Sequence, residues 1–97
     1  MARHAEKVFN TPEEIARIEQ LICALPSQAR VRVTMCDGDV FSGTVTERPV
    51  IQIFEDRRGD PGINAIVRLD DPGVPPWDVY LWLGDVRRVE RLDPPSH

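Results

Sequence analysis

The sequence predicts one mainly β domain, in which an N-terminal α-helix precedes a small, strongly bent antiparallel barrel of five strands. Three observations support this fold class: apolar residues recur at helical spacing over residues 12–25, the apolar period changes to two from Arg30 onward, and Gly- or Pro-containing turns separate the short apolar runs that follow. A chain of 97 residues has room for one hydrophobic core. We assign residues 1–10 to a flexible N-terminal arm, residues 11–92 to the single domain and residues 93–97 to a disordered tail.

The helix is predicted to begin at Thr11. Its hydroxyl can accept a hydrogen bond from a free backbone N–H group, Pro12 suits the first helical position, and Glu14 completes a capping box. The residues that follow place an apolar stripe on one helical face: Ile15, Ile18, Leu21, Ile22 and Leu25. Pro26 ends the helix. Because a helix of this length is marginal in isolation, the stripe is predicted to pack on the core.

The first two strands are predicted to form a hairpin around Asp37-Gly38. Residues 30–36 alternate apolar and polar side chains, as a half-buried strand does. Asp-Gly between alternating segments is a strong hairpin signal, because the turn requires positive φ angles. The returning strand covers residues 39–47, and Gly43 in its middle predicts a sharp bend or a close approach of two backbones.

The rest of the chain supplies shorter strands, which brings the total to five or six. Arg48-Pro49 interrupts the second strand, so the run after it is either a continuation or a separate strand. A polar tip then precedes the remaining strands. In order, the segments are a strand at 50–54, the tip at 55–62, a strand at 63–69, a stiff loop at 70–76, a strand at 79–83, a turn at Gly84-Asp85 and a strand at 86–92.

Charge and composition narrow the classes of binding partner but identify no single partner. The net charge of −4 disfavours a protein that coats nucleic acid by bulk attraction, although a local basic patch is compatible with it. Eleven of the twelve basic residues are Arg, which reflects either a need for planar, bidentate groups or a coding bias. The sequence starts without an apolar secretory segment and has no run long enough to span a bilayer, so we expect a cytoplasmic protein that does not contact membranes.

Catalytic chemistry has little support in the sequence. Both histidines, His4 and His97, fall in the termini, so neither is expected in a fixed catalytic arrangement. Cys23 and Cys36 have no metal-site spacing and are expected to be small buried residues. No phosphate-binding glycine loop is present. We therefore predict a non-enzymatic protein with no catalytic residue, no metal and no cofactor.

Aromatic and guanidinium groups are interleaved near the end of the chain. Trp77, Tyr80 and Trp82 lie close in sequence to basic side chains, namely Arg68, Arg87 and Arg88. Single-stranded nucleic acid binds such surfaces through base stacking and backbone attraction. Because Tyr80 and Trp82 alternate with aliphatic residues, one face of this strand is predicted to be core. The other face is either a subunit interface or a stacking surface.

The order of these features resembles the Sm-like family of small β-barrels. Residues 31–45, with Asp37-Gly38 and Gly43, resemble the first Sm motif, and the capped helix precedes it as expected. Residues 60–64 resemble the Asp-x-x-hydrophobic-Asn loop, and residues 81–86 resemble the second motif. The segment between Gly43 and Asp60 is longer than usual, so the second strand or its loop is enlarged. The resemblance indicates a variant, uncharacterised bacterial branch of the family.

The resemblance also implies a ligand and an assembly. In RNA-binding relatives a uridine is held by the loop Asn, stacks on a side chain two positions earlier and meets a basic residue before the second-motif Gly. The corresponding positions here are Asn64, Gly62 and Leu83, so only the Asn is retained. Sm-like subunits also form rings by pairing strand edges, which implies a homo-oligomer.

Two binding functions follow as predictions. The first is a module for single-stranded RNA, and the second is a protein-interaction or assembly module that has lost the base pocket and binds itself or another protein. The candidate nucleic-acid-binding residues are Arg57, Arg58, Asp60, Asn64, Trp82, Gly84, Arg87 and Arg88.

Overall fold

A computed structural model describes residues 3–92. Within that range it contains α1 (Pro12–Cys23), β1 (Arg30–Met35), β2 (Val40–Val45), β3 (Gln52–Glu55), β4 (Pro61–Asn64), β5 (Ile66–Asp71), β6 (Trp77–Trp82), a 3-10 turn (Leu83–Asp85) and β7 (Val86–Arg91). The tail predicted at residues 93–97, which includes His97, lies outside the described residues, as do residues 1 and 2 of the predicted arm.

The start of α1 has the predicted capping box. The Thr11 hydroxyl oxygen accepts a hydrogen bond from the Glu14 N–H at 3.3 Å, and the Glu14 carboxylate accepts one from the Thr11 N–H at 3.3 Å. Ile18 and Ile22 are buried. The helix ends at Cys23, and Leu25 beyond it is still part of the core.

Five strands form one antiparallel sheet in the order β6-β5-β2-β1-β7. The prediction of a mainly β fold with one N-terminal helix is confirmed, but the prediction of a five-stranded barrel is wrong. Residues 3–92 form seven strands in two sheets, and β6 and β7 are the two edge strands of the larger sheet, which does not close. The turn between them is held by other segments. Leu83 donates its N–H to the Ala65 carbonyl at 2.8 Å, and Cys36 donates to the Asp85 carbonyl at 2.7 Å, which directs the two strands to opposite edges.

The two faces of the large sheet differ in character. The core face packs with α1 through aliphatic side chains, among them Val31, Val33, Val45, Val67, Leu69 and Leu81. Strand register defines the outer face, because directly opposed residues in an antiparallel sheet share a face. Arg30 pairs with Thr44, Thr44 with Asp70, and Asp70 with Asp78, so one row of outer-face side chains crosses four strands.

A second, two-stranded sheet consists of β3 and β4, the enlarged segment of the sequence. The prediction of one strand over residues 63–69 is wrong, because the chain leaves β4 at Asn64 and enters β5, in the other sheet, at Ile66. The Asn64 side-chain oxygen accepts the Ala65 N–H at 2.8 Å. That bond removes a strand donor at the junction and separates the two strands.

Residues 3–10, predicted as a flexible arm, lie across the β3–β4 hairpin. Ala5 donates its N–H to the Glu55 carbonyl at 3.0 Å, and Glu55 donates to the Arg3 carbonyl at 2.8 Å. Phe9 and Ile63 exchange two backbone hydrogen bonds of 2.9 and 2.8 Å. A two-stranded hairpin is marginally stable alone, so both segments gain from this pairing. The arm is therefore held by backbone bonds, which its polar sequence does not reveal.

The cysteines do not match the expectation of burial. Cys23 and Cys36 are both free and exposed, the first at the end of α1 and the second just after β1. In the turn that follows Cys36, Gly38 has the positive φ angle of 97° that the Asp-Gly signal predicts, whereas Asp37 does not have a positive φ angle. Gly43 is buried, and a Cβ atom there would lie 2.8 Å from the Asp70 carbonyl oxygen, so the predicted close backbone approach is present.

Candidate functional site

Asn64 is a structural residue in this fold. Its side chain is buried, with 1% of the residue exposed. The amide nitrogen donates to the Lys7 carbonyl at 3.0 Å, and the amide oxygen accepts the N–H groups of Ala65 at 2.8 Å and Gly84 at 3.1 Å. These bonds connect the arm, the β4–β5 junction and the turn before β7. Both polar atoms of the amide are therefore bonded within the protein.

The arm also occupies the space beside Gly62 and Gly84. A Cβ atom at Gly62 would lie 2.8 Å from the Val8 Cβ atom, and one at Gly84 would lie 2.4 Å from the Phe9 ring. Distances below about 3.0 Å are not tolerated between such atoms without movement. A side chain at Gly62 would therefore collide with the arm at Val8, and one at Gly84 would have to displace the Phe9 ring.

An ion pair fixes the arm at its centre. The Lys7 ammonium lies 2.9 Å from an Asp85 carboxylate oxygen, and both side chains are partly exposed. The hydrogen bond to Asp85, followed by the charge of that carboxylate, raises the pKa of Lys7 above its ordinary value of 10.5. The pair joins the arm to the turn that carries Gly84.

The base pocket implied by the family resemblance is thus filled by the protein's own chain. Val8 lies against Gly62, Phe9 against Gly84, and the Lys7 carbonyl against the Asn64 amide. Leu83, at the position expected for a basic residue, is fully buried in the core. A nucleotide base has no access to Asn64 while the arm is in place.

A second group of predicted residues lies at the β3–β4 hairpin. Arg57 and Trp82 line one groove of about 350 Å³, together with arm residues that include His4. Trp82 packs edge-on against the buried Phe54 ring, with centroids 5.1 Å apart. Arg57 reaches only a long contact of 3.7 Å with Glu6, and both side chains are largely exposed.

Arg58 and Asp60 lie in the tip of the same hairpin. Their backbone N–H groups donate to the Asp56 carboxylate at 2.9 and 3.0 Å. The carboxylate therefore stabilises the turn, as Asp commonly does. Both residues are exposed.

The remaining two predicted residues belong to an arginine patch that the structure enlarges. Arg87 and Arg88 are exposed on β7, which pairs with β1. Five arginines lie on these two strands, which together carry one acidic residue, Glu90. Register places Arg30, Arg32 and Arg88 on the outer face, whereas Arg91 stands opposite the buried Val31 and Arg87 lies at the register shift between the strands. Register places Arg32 opposite Glu90 and Thr34 opposite Arg88, so Arg32 and Arg88 are diagonal neighbours on the outer face.

Tyr80 and Trp82 of β6 lie on the face away from the core, whereas Trp77 shares the face of Val79 and Leu81. Leu81 is buried, whereas Tyr80 is 66% exposed and Trp77 is also exposed. Tyr80 pairs with Arg68, whose guanidinium carbon is 5.8 Å from the ring centroid. Asp78 holds that guanidinium with two hydrogen bonds of 3.0 and 2.8 Å, and these bonds raise the pKa of Arg68.

The eight predicted residues are therefore not one surface. Asn64 and Gly84 lie under the arm, Arg57 and Trp82 line the hairpin groove, and the rest are at the hairpin tip and on β7. Sequence reasoning missed Arg30, Arg32 and Arg91 of the arginine patch. The alternation Arg30-Val31-Arg32-Val33 already indicated two outward guanidinium groups, but only the β1–β7 register shows that β7 is their neighbour.

The chain matches a known protein family and a solved structure. Residues 2–92 match a family described as a domain of unknown function, DUF3247. The chain belongs to that family. Its structure is also similar to the crystal structure of XC5848 from Xanthomonas campestris, described as a novel variant of the Sm-like motif. The two are 29% identical, with a TM-score of 0.90 over 96% of this chain and 100% of the other.

These matches confirm the Sm-like resemblance that the sequence motifs carry. They identify the DUF3247 chain as a variant of the Sm-like fold in a family whose function is unassigned. A search of curated proteins gives no match. In the part of the chain that the structure describes, no helix is long and apolar enough to span a bilayer.

Proposed function

We propose that this protein is a non-enzymatic binding module for single-stranded RNA, and that its phosphate contacts come from the arginine patch rather than from the family's base pocket. The observation that carries the proposal is that β1 and β7 hold five arginines and one acidic residue, with Arg30, Arg32 and Arg88 on one face. The rest of the chain is acidic, since the whole has a net charge of −4. Charge is thus separated between the patch and the remaining surface, and a local patch attracts a polyanion even on an acidic protein.

Guanidinium groups suit this role for a physical reason. Each presents a planar fork of donors that matches phosphate oxygens, and it remains charged at any physiological pH. Arg32 and Arg88 lie about 7 to 8 Å apart at their Cα atoms as diagonal neighbours. Arg88 contacts Glu90 at 3.3 Å, but both groups are solvent-exposed enough for a phosphate to compete for the cation.

The test is a direct binding titration with a 12-nucleotide single-stranded RNA at low ionic strength. We expect wild-type protein to bind, Arg32→Ala/Arg88→Ala to weaken binding at least fivefold, and the charge-preserving Arg32→Lys/Arg88→Lys to retain most of it. A second pair, Arg57→Ala/Arg58→Ala, measures the contribution of the hairpin. Micromolar wild-type protein that retains no RNA would overturn the proposal.

The edges of the large sheet favour a second candidate function, assembly with itself or another protein. In the described residues β6 and β7 each leave one backbone edge of six residues without a strand partner. Such edges are templates for pairing. Affinity capture with nuclease treatment separates the candidates: partners that survive nuclease support assembly, and partners that vanish with it contradict this function.

A further inference from the structure

A groove of about 460 Å³ lies between the outer face of β5–β6 and the segment that leads into β3. Its lining includes Arg48, Val50, Gln52, Ile66, Arg68 and Tyr80, and we call it the Tyr80 groove. None of the eight candidate nucleic-acid-binding residues lines it, but Tyr80 and Arg68 belong to the aromatic and guanidinium cluster that the sequence offered as an interface or a stacking surface. Its volume falls in the range of small-molecule sites, roughly 300 to 1,000 Å³.

We infer that the Tyr80 groove binds one nucleobase of the single-stranded RNA by stacking it on the Tyr80 ring. The inference rests on the proposed function and adds a base-contacting site to it. Tyr80 is 66% exposed on β6, and an exposed aromatic ring is a surface on which a nucleobase can stack.

The ring is held in position before any ligand arrives. Register fixes Tyr80 opposite Arg68, and the two hydrogen bonds from Arg68 to Asp78 keep the guanidinium over one face of the ring, so the base would stack on the other face. The opposite wall is anchored as well. The Thr46 N–H donates to the Arg68 carbonyl at 3.1 Å, and the Arg48 N–H donates to the Ser27 hydroxyl at 2.8 Å. Ordering the site therefore costs little on binding.

The charges of the groove favour a base over a phosphate. Asp78 compensates the charge of Arg68, and Glu47 stands beside Arg48 in the lining. The Gln52 amide offers both a hydrogen-bond donor and an acceptor. In the same wall Arg48 adds donors and Glu47 adds acceptors. A neutral, planar ligand with hydrogen-bonding edges matches this set, and Val50 and Ile66 supply apolar contacts for its faces.

The groove and the arginine patch share one face of one sheet. The row Arg30, Thr44, Asp70 and Asp78 joins them, and Tyr80 lies two residues along β6 from Asp78. Three strand spacings, about 15 Å, separate β1 from β6 across the sheet, and register places Tyr80 four residues, roughly 13 Å, from Arg32 along the strands. One short RNA strand can therefore place a base in the groove and its phosphates on Arg32 and Arg88.

The experiment compares Tyr80→Leu with Tyr80→Phe, using the same 12-nucleotide RNA. Leucine keeps an apolar side chain without a ring, and phenylalanine keeps the ring. We expect Tyr80→Leu to bind about 5- to 150-fold more weakly and Tyr80→Phe to bind within about twofold of wild type. Because the ring is exposed, both variants should fold, and circular dichroism checks this. Ile53→Ala, an exposed apolar residue outside the lining, is the matched control.

A spectroscopic readout locates the base directly. Tyr80 is the single tyrosine of the chain, so ¹³C-tyrosine labelling gives ring signals of one residue. Stacking should shift them upfield when RNA is added. RNA binding by wild type with unmoved ring signals and an unaffected Tyr80→Leu variant would overturn the groove while leaving the proposed function intact. Absence of RNA binding by wild type would instead overturn the proposed function.

Discussion

Asn64 connects three segments that are distant in sequence. Its amide bonds to the Lys7 carbonyl in the arm, to the Ala65 N–H at the sheet junction and to the Gly84 N–H in the turn before β7. A buried amide with its hydrogen-bonding capacity engaged in this way is costly to remove, because its partners lose bonds where water has little access. Asn64, which the sequence motif suggested as an RNA contact, therefore has a structural role in connecting these three segments.

We expect Asn64→Ala to lower the free energy of unfolding by about 1–3 kcal/mol, because Ala65 and Gly84 would keep buried donors without an acceptor. Asp60→Ala is the matched control from the same sequence motif, and its exposed side chain should change stability by less than about 0.5 kcal/mol. Urea unfolding of both variants measures the difference. Equal stabilities would contradict the structural role of Asn64.

Gly84→Ala should displace Phe9, because the new Cβ atom would lie 2.4 Å from the ring. We expect a loss of about 1–3 kcal/mol from this overpacking. In a Phe9→Ala background the same substitution should cost less, since the clashing ring is gone. The unfolding free energies of the two single variants and the double variant give the coupling free energy between positions 9 and 84. Additive effects would show that the ring is not the atom group that forbids a side chain at Gly84.

The Lys7–Asp85 pair predicts a small dependence of stability on alkaline pH. The pKa of Lys7 is raised in the folded state by the hydrogen bond to Asp85, so the pair's contribution is complete below pH 10.5 and is lost as the pH rises through the folded-state pKa. The pair is exposed, so the contribution is at most about 1 kcal/mol. We expect Lys7→Gln to be less stable than wild type at pH 8, and this difference should shrink as the pH rises above 10.5. Lys7→Arg, which keeps its charge, should remain more stable than Lys7→Gln over the same range.

At the scale of elements, the sequence identifies most of the helix and strands but not the sheet to which each strand belongs. The capping box at Thr11, the hairpin at Asp37-Gly38 and the close approach at Gly43 are local features with local causes, and the structure has all three. The break at Asn64 depends on a side chain bonding to its neighbour's backbone, and the position of the arm depends on Glu55 and Ile63, which lie some fifty residues away. The apolar periodicity of the sequence predicts neither the break at Asn64 nor the position of the arm.

Removal of residues 1–10 should loosen the β3–β4 hairpin selectively. The Glu55 and Ile63 N–H groups would lose the Arg3 and Phe9 carbonyls as acceptors. We expect their hydrogen exchange to accelerate about tenfold or more, the equivalent of about 1.4 kcal/mol of local opening. Val45, whose N–H bonds to Ala29 inside the large sheet, is the internal reference.

A shorter deletion separates the contribution of the bonds to Glu55 from that of the bonds to Ile63. Removing residues 1–6 keeps Phe9 and its two bonds to Ile63 but removes those between the arm and Glu55. Exchange should then accelerate at Glu55 and stay near wild type at Ile63. If both deletions left the exchange of the hairpin unchanged, the arm would contribute nothing to holding it.

For the whole molecule, the arrangement of charge matters more than its sum. The net charge of −4 suggested weak affinity for nucleic acid, yet five of the eleven arginines lie on β1 and β7. Composition could not reveal this, because β1 and β7 are some fifty residues apart in sequence and become neighbours only through the sheet order. The candidate site is therefore the part of the molecule least accessible to sequence reasoning, although Arg87 and Arg88 were among the predicted residues.

The patch sets a limit on how strongly salt should weaken RNA binding. Each phosphate neutralised on a single strand contributes about 0.7 to the slope of log K against log salt, so five arginines give a slope of at most about −3.5. Arg32→Ala/Arg88→Ala should reduce the magnitude by about 1.4, whereas Tyr80→Leu should lower affinity at every salt concentration with the slope unchanged. Titrations between 50 and 200 mM salt measure both effects. A flat salt response in wild type would contradict phosphate binding by the patch, and a slope much steeper than −3.5 would require phosphate contacts from cations outside β1 and β7.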